Sequence, residues 1–326
     1  MTTAEILAAF PKLTALVVGD ICLDRWCTYD PATSELSRET RIPRIGVVRT
    51  EVTAGAGGTV ANNLAALGVG SVAVLGAIGE DGFGYELAGA LGQRSITSHM
   101  LVRTPAMQTF TYTKLINCMT GMEDMPRVDF ISTTPLDAEA EHQILNALPG
   151  AIDHFDVIFI SDQAETSARG VITPAVRALV ADLAGNYPDK VFWVDSRARI
   201  ELFQRMVIKP NRQEAEEACQ RAFGRVDLQA LLAYCGTKLM IVTDGPSGAL
   251  VVEPHQETVV RARPITNPVD ICGAGDSFSA GAALALAVTR SPVEAARFGN
   301  LTASITIMKK GTGTASPAEV LEAAGR

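Results

Sequence analysis

Apolar residues fall along the chain in short continuous runs closed by glycine or aspartate, and between these runs at intervals of three and four. The first kind of stretch predicts strands buried on both faces, the second amphipathic helices packed over them. Leu13 to Val18 is the first run; it ends in Gly19 and Asp20 and reads as a buried strand feeding a functional loop. Residues 3–10 ahead of it predict a short helix stopped by Pro11. Further strands are predicted at Val72 to Leu75, Val157 to Ile160, Val191 to Val194, Met206 to Ile208, Leu239 to Val242 and Ala249 to Val252. Helices are predicted at Val60 to Ala66, Pro174 to Gly185, Arg212 to Phe223, Ser277 to Val288 and Val293 to Ile307. Strands and helices in alternation imply βαβ units, so the expected fold class is α/β, a doubly wound parallel sheet with helices on both faces.

Two stretches depart from this pattern. From Arg41 to Val52 the apolar positions Ile42, Ile45, Val47, Val48 and Val52 are mixed with arginine and threonine, and Thr109 to Leu115 alternates. Both read as half-exposed strands of a small β lid outside the main sheet, drawn from about 25–52 and 103–131. With no internal repeat and no linker between self-sufficient halves, residues 1–326 are expected to form one α/β domain carrying that lid.

Composition narrows the partners. Hydrophobic residues make up 47% and charged residues 20%, as in a folded globular protein, and the net charge of -8 argues against a nucleic-acid partner. The longest apolar stretch, Ala280 to Val288, is too short to span a bilayer, and the N-terminus reads as neither signal peptide nor anchor. No membrane partner is expected. Six cysteines without CxxC spacing suit reduced thiols in a cytoplasm, the expected location, and four isolated histidines give no zinc site.

The sharpest chemical signal is Asp270 to Gly281 (DICGAGDSFSAG), a glycine-rich turn running into an apolar helix. Gly273, Ala274 and Gly275 let backbone N–H groups converge at a helix N-terminus, which favours an anion, and Asp276 beside it is placed to accept a proton from an attacking hydroxyl. An ordinary helix start with an acid near its cap fits the same residues. Gly57, Gly58 and Asn62 form a second glycine-to-helix turn suited to a polyhydroxylated ligand, or only a turn entering a helix. Asp24, just past the first strand, supplies a carboxylate for hydroxyl binding, or is a solvated loop acid. Asn211 and Glu214 sit one turn apart at the start of an acidic helix, as a hydrated Mg²⁺ requires and as a capping box equally requires. Thr243, Gly245 and Gly248 form a turn after a buried strand that can approach phosphate or ribose, or is simply a hairpin turn. Cys272, just ahead of the anion-binding turn, is expected to be the most reactive thiol, because a helix N-terminus favours thiolate.

Together these stretches resemble the ribokinase-like, or PfkB, carbohydrate kinases over nearly the whole chain. The resemblance implies an ATP-dependent phosphotransferase with a sugar or sugar phosphate as acceptor alcohol, and a doubly wound α/β fold with a β lid. It implies Asp276 as the catalytic base, Gly273, Ala274 and Gly275 as the anion hole, and Asp24, Gly57, Gly58 and Asn62 as sugar contacts. It places Asn211 and Glu214 around Mg²⁺ and phosphate, with Thr243, Gly245, Gly248 and Asn300 facing the nucleotide. It leaves a monovalent-cation requirement open and allows a homodimer through the lid strands.

Within the family, Gly19 to Arg25, Ser37 to Pro43 and Ile160 to Asp162 look like the kinase domain of the bifunctional heptose enzymes of lipopolysaccharide-precursor synthesis, which phosphorylate heptose 7-phosphate at C1. Three features differ from that subgroup: a longer stretch between Asp162 and Gly170, Ile271 and Cys272 ahead of the glycine turn, and the expectation of no nucleotidyltransferase domain after Arg326. An acceptor that already bears a phosphate is expected from Arg38, Arg41, Arg127 and Arg169, whose guanidinium groups match phosphate oxygens.

Competing classes fare less well. The residues after Val18 lack the GxGxxG of a dinucleotide-dependent oxidoreductase, and no Walker-A spacing is present. A non-catalytic sugar or nucleotide sensor on the same fold is the standing alternative, against which Asp276 beside Gly273 to Gly275 argues for turnover.

Overall fold

The computed structural model describes residues 1–163 and 170–325. In chain order the strands are β1 (Thr14–Gly19), β2 (Ile21–Tyr29), β3 (Val47–Ala56), β4 (Ser71–Gly79), β5 (Thr97–Thr104), β6 (Thr111–Asn117), β7 (Val128–Phe130), β8 (Val157–Asp162), β9 (Val191–Ser196), β10 (Val207–Ile208), β11 (Met240–Thr243), β12 (Ala249–Glu253) and β13 (Gln256–Val260). Nine of them form one sheet in the order β13-β12-β11-β10-β9-β8-β1-β4-β5. It is parallel from β11 to β5, with an antiparallel β11–β12–β13 edge. This is the α/β architecture that the alternating runs imply. No helix among the described residues is long and apolar enough to cross a membrane.

Alternation within each buried strand fills both faces. Ala15 and Val17 enter one apolar layer with Trp193 and the helix Ala274–Thr289, while Leu16 and Val18 enter the other with Ile158, Ile160 and the helix Pro174–Asn186. Full burial of such side chains stabilises by about 1.5–3 kcal/mol each, so the continuous apolar runs commit these segments to the sheet interior. The chain leaves β1 to build β4 and β5 on one side and β8 to β11 on the other. The strand order therefore reverses between β1 and β8, and their carboxyl ends open the crevice where α/β sheets bind ligands. Gly19 has φ 133°, and a Cβ there would lie 2.1 Å from the Ser161 carbonyl oxygen, so only glycine lets the two ends close up.

A second sheet, in the order β3-β2-β6-β7, stands outside the first. β2 begins one residue after Asp20 and pairs antiparallel with β3 and parallel with β6. Asp24 is thus on a strand, not in the loop expected beyond β1. The polar residues Asp24, Arg25 and Thr28 hid a strand whose apolar positions face inward at Leu23, Cys27 and Tyr29. The helix Gly82–Gln93 was also not anticipated, because its four glycines weaken helical propensity; Asp81 caps it, and burial of Leu87 and Leu91 holds it.

Candidate active site

The helix Ala274–Thr289 starts at Gly273, whose φ of 77° turns the chain so that no side chain caps the first turn. The Ala274 N–H is taken by the Ile271 carbonyl at 3.2 Å, which leaves Gly275 and Asp276 as first-turn donors. Beneath them lies Lys209, 3% exposed, with its Nζ 2.9 Å from Asp195 Oδ2. A Cβ on Gly275 would lie 3.6 Å from that ammonium. Lys209 comes from the end of β10 and Asp195 from the end of β9, so parallel pairing of the two strands delivers both to the crevice.

Asp276 is half-buried at this point. Desolvation, then repulsion by Asp195, hold its pKa up to about 8, with Lys209 opposing and Asp24 adding to the rise. Burial works against the Lys209 charge, but Asp195, Glu214 and Asp276 outweigh it and raise the lysine above its ordinary value. Asp24 is likewise pushed up to about 6, first by burial, with Lys114 and Arg127 opposing. A carboxylate with a pKa near operating pH, next to uncapped N–H donors and a buried ammonium, can exchange a proton with a hydroxyl while anionic oxygens are held alongside.

On one side of the helix start is a cavity of about 360 Å³. Thr243, Gly245, Gly248, Ala274, Gly275 and Asn300 all line it, so residues spread over 58 positions meet at one wall set. Gly248 has φ 99°, and a Cβ there would lie 2.3 Å from the Val260 carbonyl oxygen. Asn300 Nδ2 donates to that same oxygen at 3.0 Å.

On the other side, a cavity of about 190 Å³ gathers Asp24, Lys114, Arg127, Arg197, Asp270 and Cys272. Arg127 also holds Asp129 through two hydrogen bonds and lies over the Tyr112 ring. Arg38 and Arg41 are exposed, on the connection between β2 and β3, and Arg169 lies outside the described residues. The basic groups brought to this cavity are therefore Lys114, Arg127 and Arg197 together with Arg25, whose Nε lies 3.1 Å from Glu86 Oε2. Neither Lys114, in a strand alternating for packing, nor Arg197, just past β9, announced itself in sequence.

Gly57 and Gly58 are packed against β2 and β3: a Cβ would lie 2.8 Å from Ile21 Cδ1 at the first and 2.5 Å from Ala54 Cβ at the second. Asn62 is 3% exposed, and its Nδ2 donates to Thr53 Oγ1 and the Ala54 carbonyl while Oδ1 is left without a partner among the described residues. Ala56, which lines the cavity of Asp24, has φ 51° and ψ −122°, a strained conformation for a residue with a Cβ.

Asn211 and Glu214 form a reciprocal cap, with Glu214 N donating to Asn211 Oδ1 at 2.9 Å and Asn211 N to Glu214 Oε2 at 2.7 Å. The cap uses one oxygen of each, and Glu214 Oε1 takes no part in it. Burial raises the Glu214 pKa, with Lys209 opposing. No group of three or more metal-ligating side chains occurs among the described residues, so only a cation retaining most of its waters fits. Asn211 bridges to Thr243, which ties this cap to the larger cavity.

The thiolate expected at Cys272 is corrected. Desolvation of its sulfur at the cavity wall raises the pKa first; Lys114 opposes, and Asp270, Asp24 and Asp276 add to the rise. The helix itself begins two residues later, at Ala274. Asp195 and Lys209 were missed as site residues. An acid closing a buried parallel strand, as in residues 191–196, was the available signal for the first.

Known proteins resemble the chain over nearly its whole length. The profile of the pfkB family carbohydrate kinases matches residues 15–319. The protein named bifunctional protein HldE of Trichlorobacter lovleyi is 31% identical over 318 residues, covering 95% of this chain and 62% of its own length. Its namesake in Caulobacter sp. strain K31 is 33% identical over 331 residues, covering 98% and 64%. The chain thus spans less than two thirds of the length of these curated relatives. Among solved structures, the ribokinase of Thermotoga maritima superposes with a TM-score of 0.71 at 21% identity, over 96% of this chain and all of that one.

Proposed function

Since the chain belongs to the pfkB family of carbohydrate kinases, phosphotransferases with an alcohol group as acceptor, we propose that it moves the γ-phosphoryl group of ATP to a hydroxyl of a sugar that already carries a phosphate. The observation that carries the finer reading is the meeting of Lys114, Arg127 and Arg197 with Asp24 in one cavity, flanked by the Cys272 side of the turn that bears Asp276. Lys114, Arg127 and Arg197 answer an acceptor phosphate, Arg25 being paired with Glu86, while Asp24 takes sugar hydroxyls. Heptose 7-phosphate phosphorylated at C1 is the acceptor favoured by the stretches that resemble the heptose subgroup.

In this reading the larger cavity holds the nucleotide, and the Gly275 and Asp276 N–H groups with Lys209 face the transferred phosphoryl group. Asp276 takes the proton of the attacking hydroxyl. Mg²⁺, held through water by Glu214 and Asn211, would supply charge neutralisation on the phosphates. Gly57, Gly58 and Asn62 shape the sugar side from behind: the glycines seat their helix against β2 and β3, and the unpaired Asn62 oxygen is available to a hydroxyl. The second sheet acts as a lid over the acceptor and excludes water. Val48 on β3, with Ile42 and Met119 on the connections of this sheet, 60%, 66% and 78% exposed, supply apolar contacts for a homodimer. A panel of free and phosphorylated sugars scored for ADP release with Mg-ATP tests the reading; faster turnover of free sugars than of every sugar phosphate would overturn it.

A further inference from the structure

A third cavity, of about 270 Å³, lies between the helix Thr3–Ala9, the helix Pro292–Thr306 and the segment that follows β13. Among the described residues, Arg261, Arg263 and Arg297 line it against a single carboxylate, Glu294. That concentration of positive charge stands in a chain whose net charge is -8. Guanidinium groups sharing one small concavity repel each other, and an anion there relieves the repulsion.

The three arginines also have donors to spare. Arg263 spends Nη1 on the Ala323 carbonyl at 2.6 Å, and Arg297 spends Nη1 on Glu294 Oε1. Arg261 makes no hydrogen bond or ion pair among the described residues. Each guanidinium carries five N–H groups, so most remain for a ligand. Ile6, Phe298 and Leu301 add apolar lining to the cavity.

We propose that this cavity is a second anion site, apart from the glycine turn at residues 273–276, and that it takes a small phosphorylated ligand. Guanidinium forks match phosphate oxygens two at a time, and the apolar lining receives the organic part of a phosphate ester. Arg263, Asn300 and Ser304 line this cavity and the 360 Å³ cavity alike, so a ligand in one shifts groups that form the wall of the other. Occupancy is therefore coupled to nucleotide affinity, and the coupling is reciprocal.

The test is calorimetric titration of inorganic pyrophosphate into the full chain already saturated with ADP, in a metal-free buffer. Besides any occupancy of the acceptor cavity, which Lys114→Ala weakens, a binding event is expected that is weakened at least about tenfold in Arg261→Glu, as loss of charged hydrogen bonds dictates, and unchanged in Lys114→Ala. A parallel titration with AMP separates the sources of the phosphate: tighter binding than pyrophosphate marks a nucleotide, weaker binding a simpler phosphate ester. The proposal is overturned if no event follows ADP saturation while ADP itself binds at a single site, if Arg261→Glu binds pyrophosphate as tightly as the parent, or if Lys114→Ala alone abolishes the event. ADP binding is read first in the same instrument, so a failure of the nucleotide assignment is seen separately; the Arg261→Glu comparison then decides alone. A melting temperature for each variant confirms that it is folded.

Discussion

Lys209 Nζ and Asp195 Oδ2 lie 2.9 Å apart, with both side chains largely withdrawn from solvent, directly under the start of the helix that carries Asp276. The pair puts a fixed positive charge where phosphoryl oxygens would arrive and moderates the pKa of the neighbouring acid. Lys209→Met should remove both effects. Breaking a buried ion pair by taking one partner costs about 3–5 kcal/mol, and the Asp276 pKa should rise further once its counter-charge is gone. Thermal melting should show the first effect and an alkaline displacement of the pH–rate limb the second. A variant with lost stability but an unmoved limb would make the pair structural only.

Asp276→Asn should lower phosphoryl transfer by about 10²- to 10⁴-fold with nucleotide affinity largely intact, since the amide keeps the shape of the carboxylate but cannot accept the proton. In the parent protein, kcat/KM should rise with pH through about 8 as Asp276 ionises. Stability should run the other way. The folded state holds this proton to a higher pH than the unfolded chain, so stability falls as pH climbs from about 4 toward 8. Asp276→Asn lacks that penalty and should melt higher than the parent at pH 9, with little difference at pH 4. Near-normal turnover of the folded variant would refute the assignment of the base.

Lys114→Ala should raise the KM for a phosphorylated acceptor by about 10- to 100-fold, the range for a lost charged hydrogen bond, and leave the KM for ATP unchanged. Steady-state kinetics with each substrate varied in turn reads this directly. Equal effects on both substrates would move Lys114 out of the acceptor site.

Gly248→Val should damage the nucleotide wall alone. At φ 99° a β-branched residue is strained, and its Cβ would meet the Val260 carbonyl oxygen that Asn300 also binds. The expected outcome is a loss of about 1–3 kcal/mol in stability and a raised KM for ATP with the acceptor KM unaltered. An ATP KM equal to that of the parent would remove the turn from the nucleotide site.

Val48→Asp should convert a dimer to a monomer by placing a charge at an exposed apolar position of the second sheet. Light scattering on the parent and the variant measures this. A monomeric parent ends the idea.

The main sheet, and the glycine turn that opens at its centre, were legible in the amino-acid sequence. Continuous apolar runs such as Leu13 to Val18 have no stable place except between two layers of helices, and the turn at residues 273–275 needs only local backbone freedom and a following helix to present its donors. What tertiary structure decided were the groups that work at a distance. Lys209 and Asp195 become a pair because β9 and β10 run parallel side by side, a fact about strand order that no local pattern encodes. Asp24 left its expected loop because β2 is held from both sides, by the next strand β3 and by β6, which comes only after β5. Lys114, Arg127 and Arg197 share one cavity although 83 positions separate the first from the last. Local sequence sets backbone conformation and burial over a few residues, whereas the electrostatics of a site depend on distances of a few ångströms between remote segments, and only the packed sheet brings those segments together.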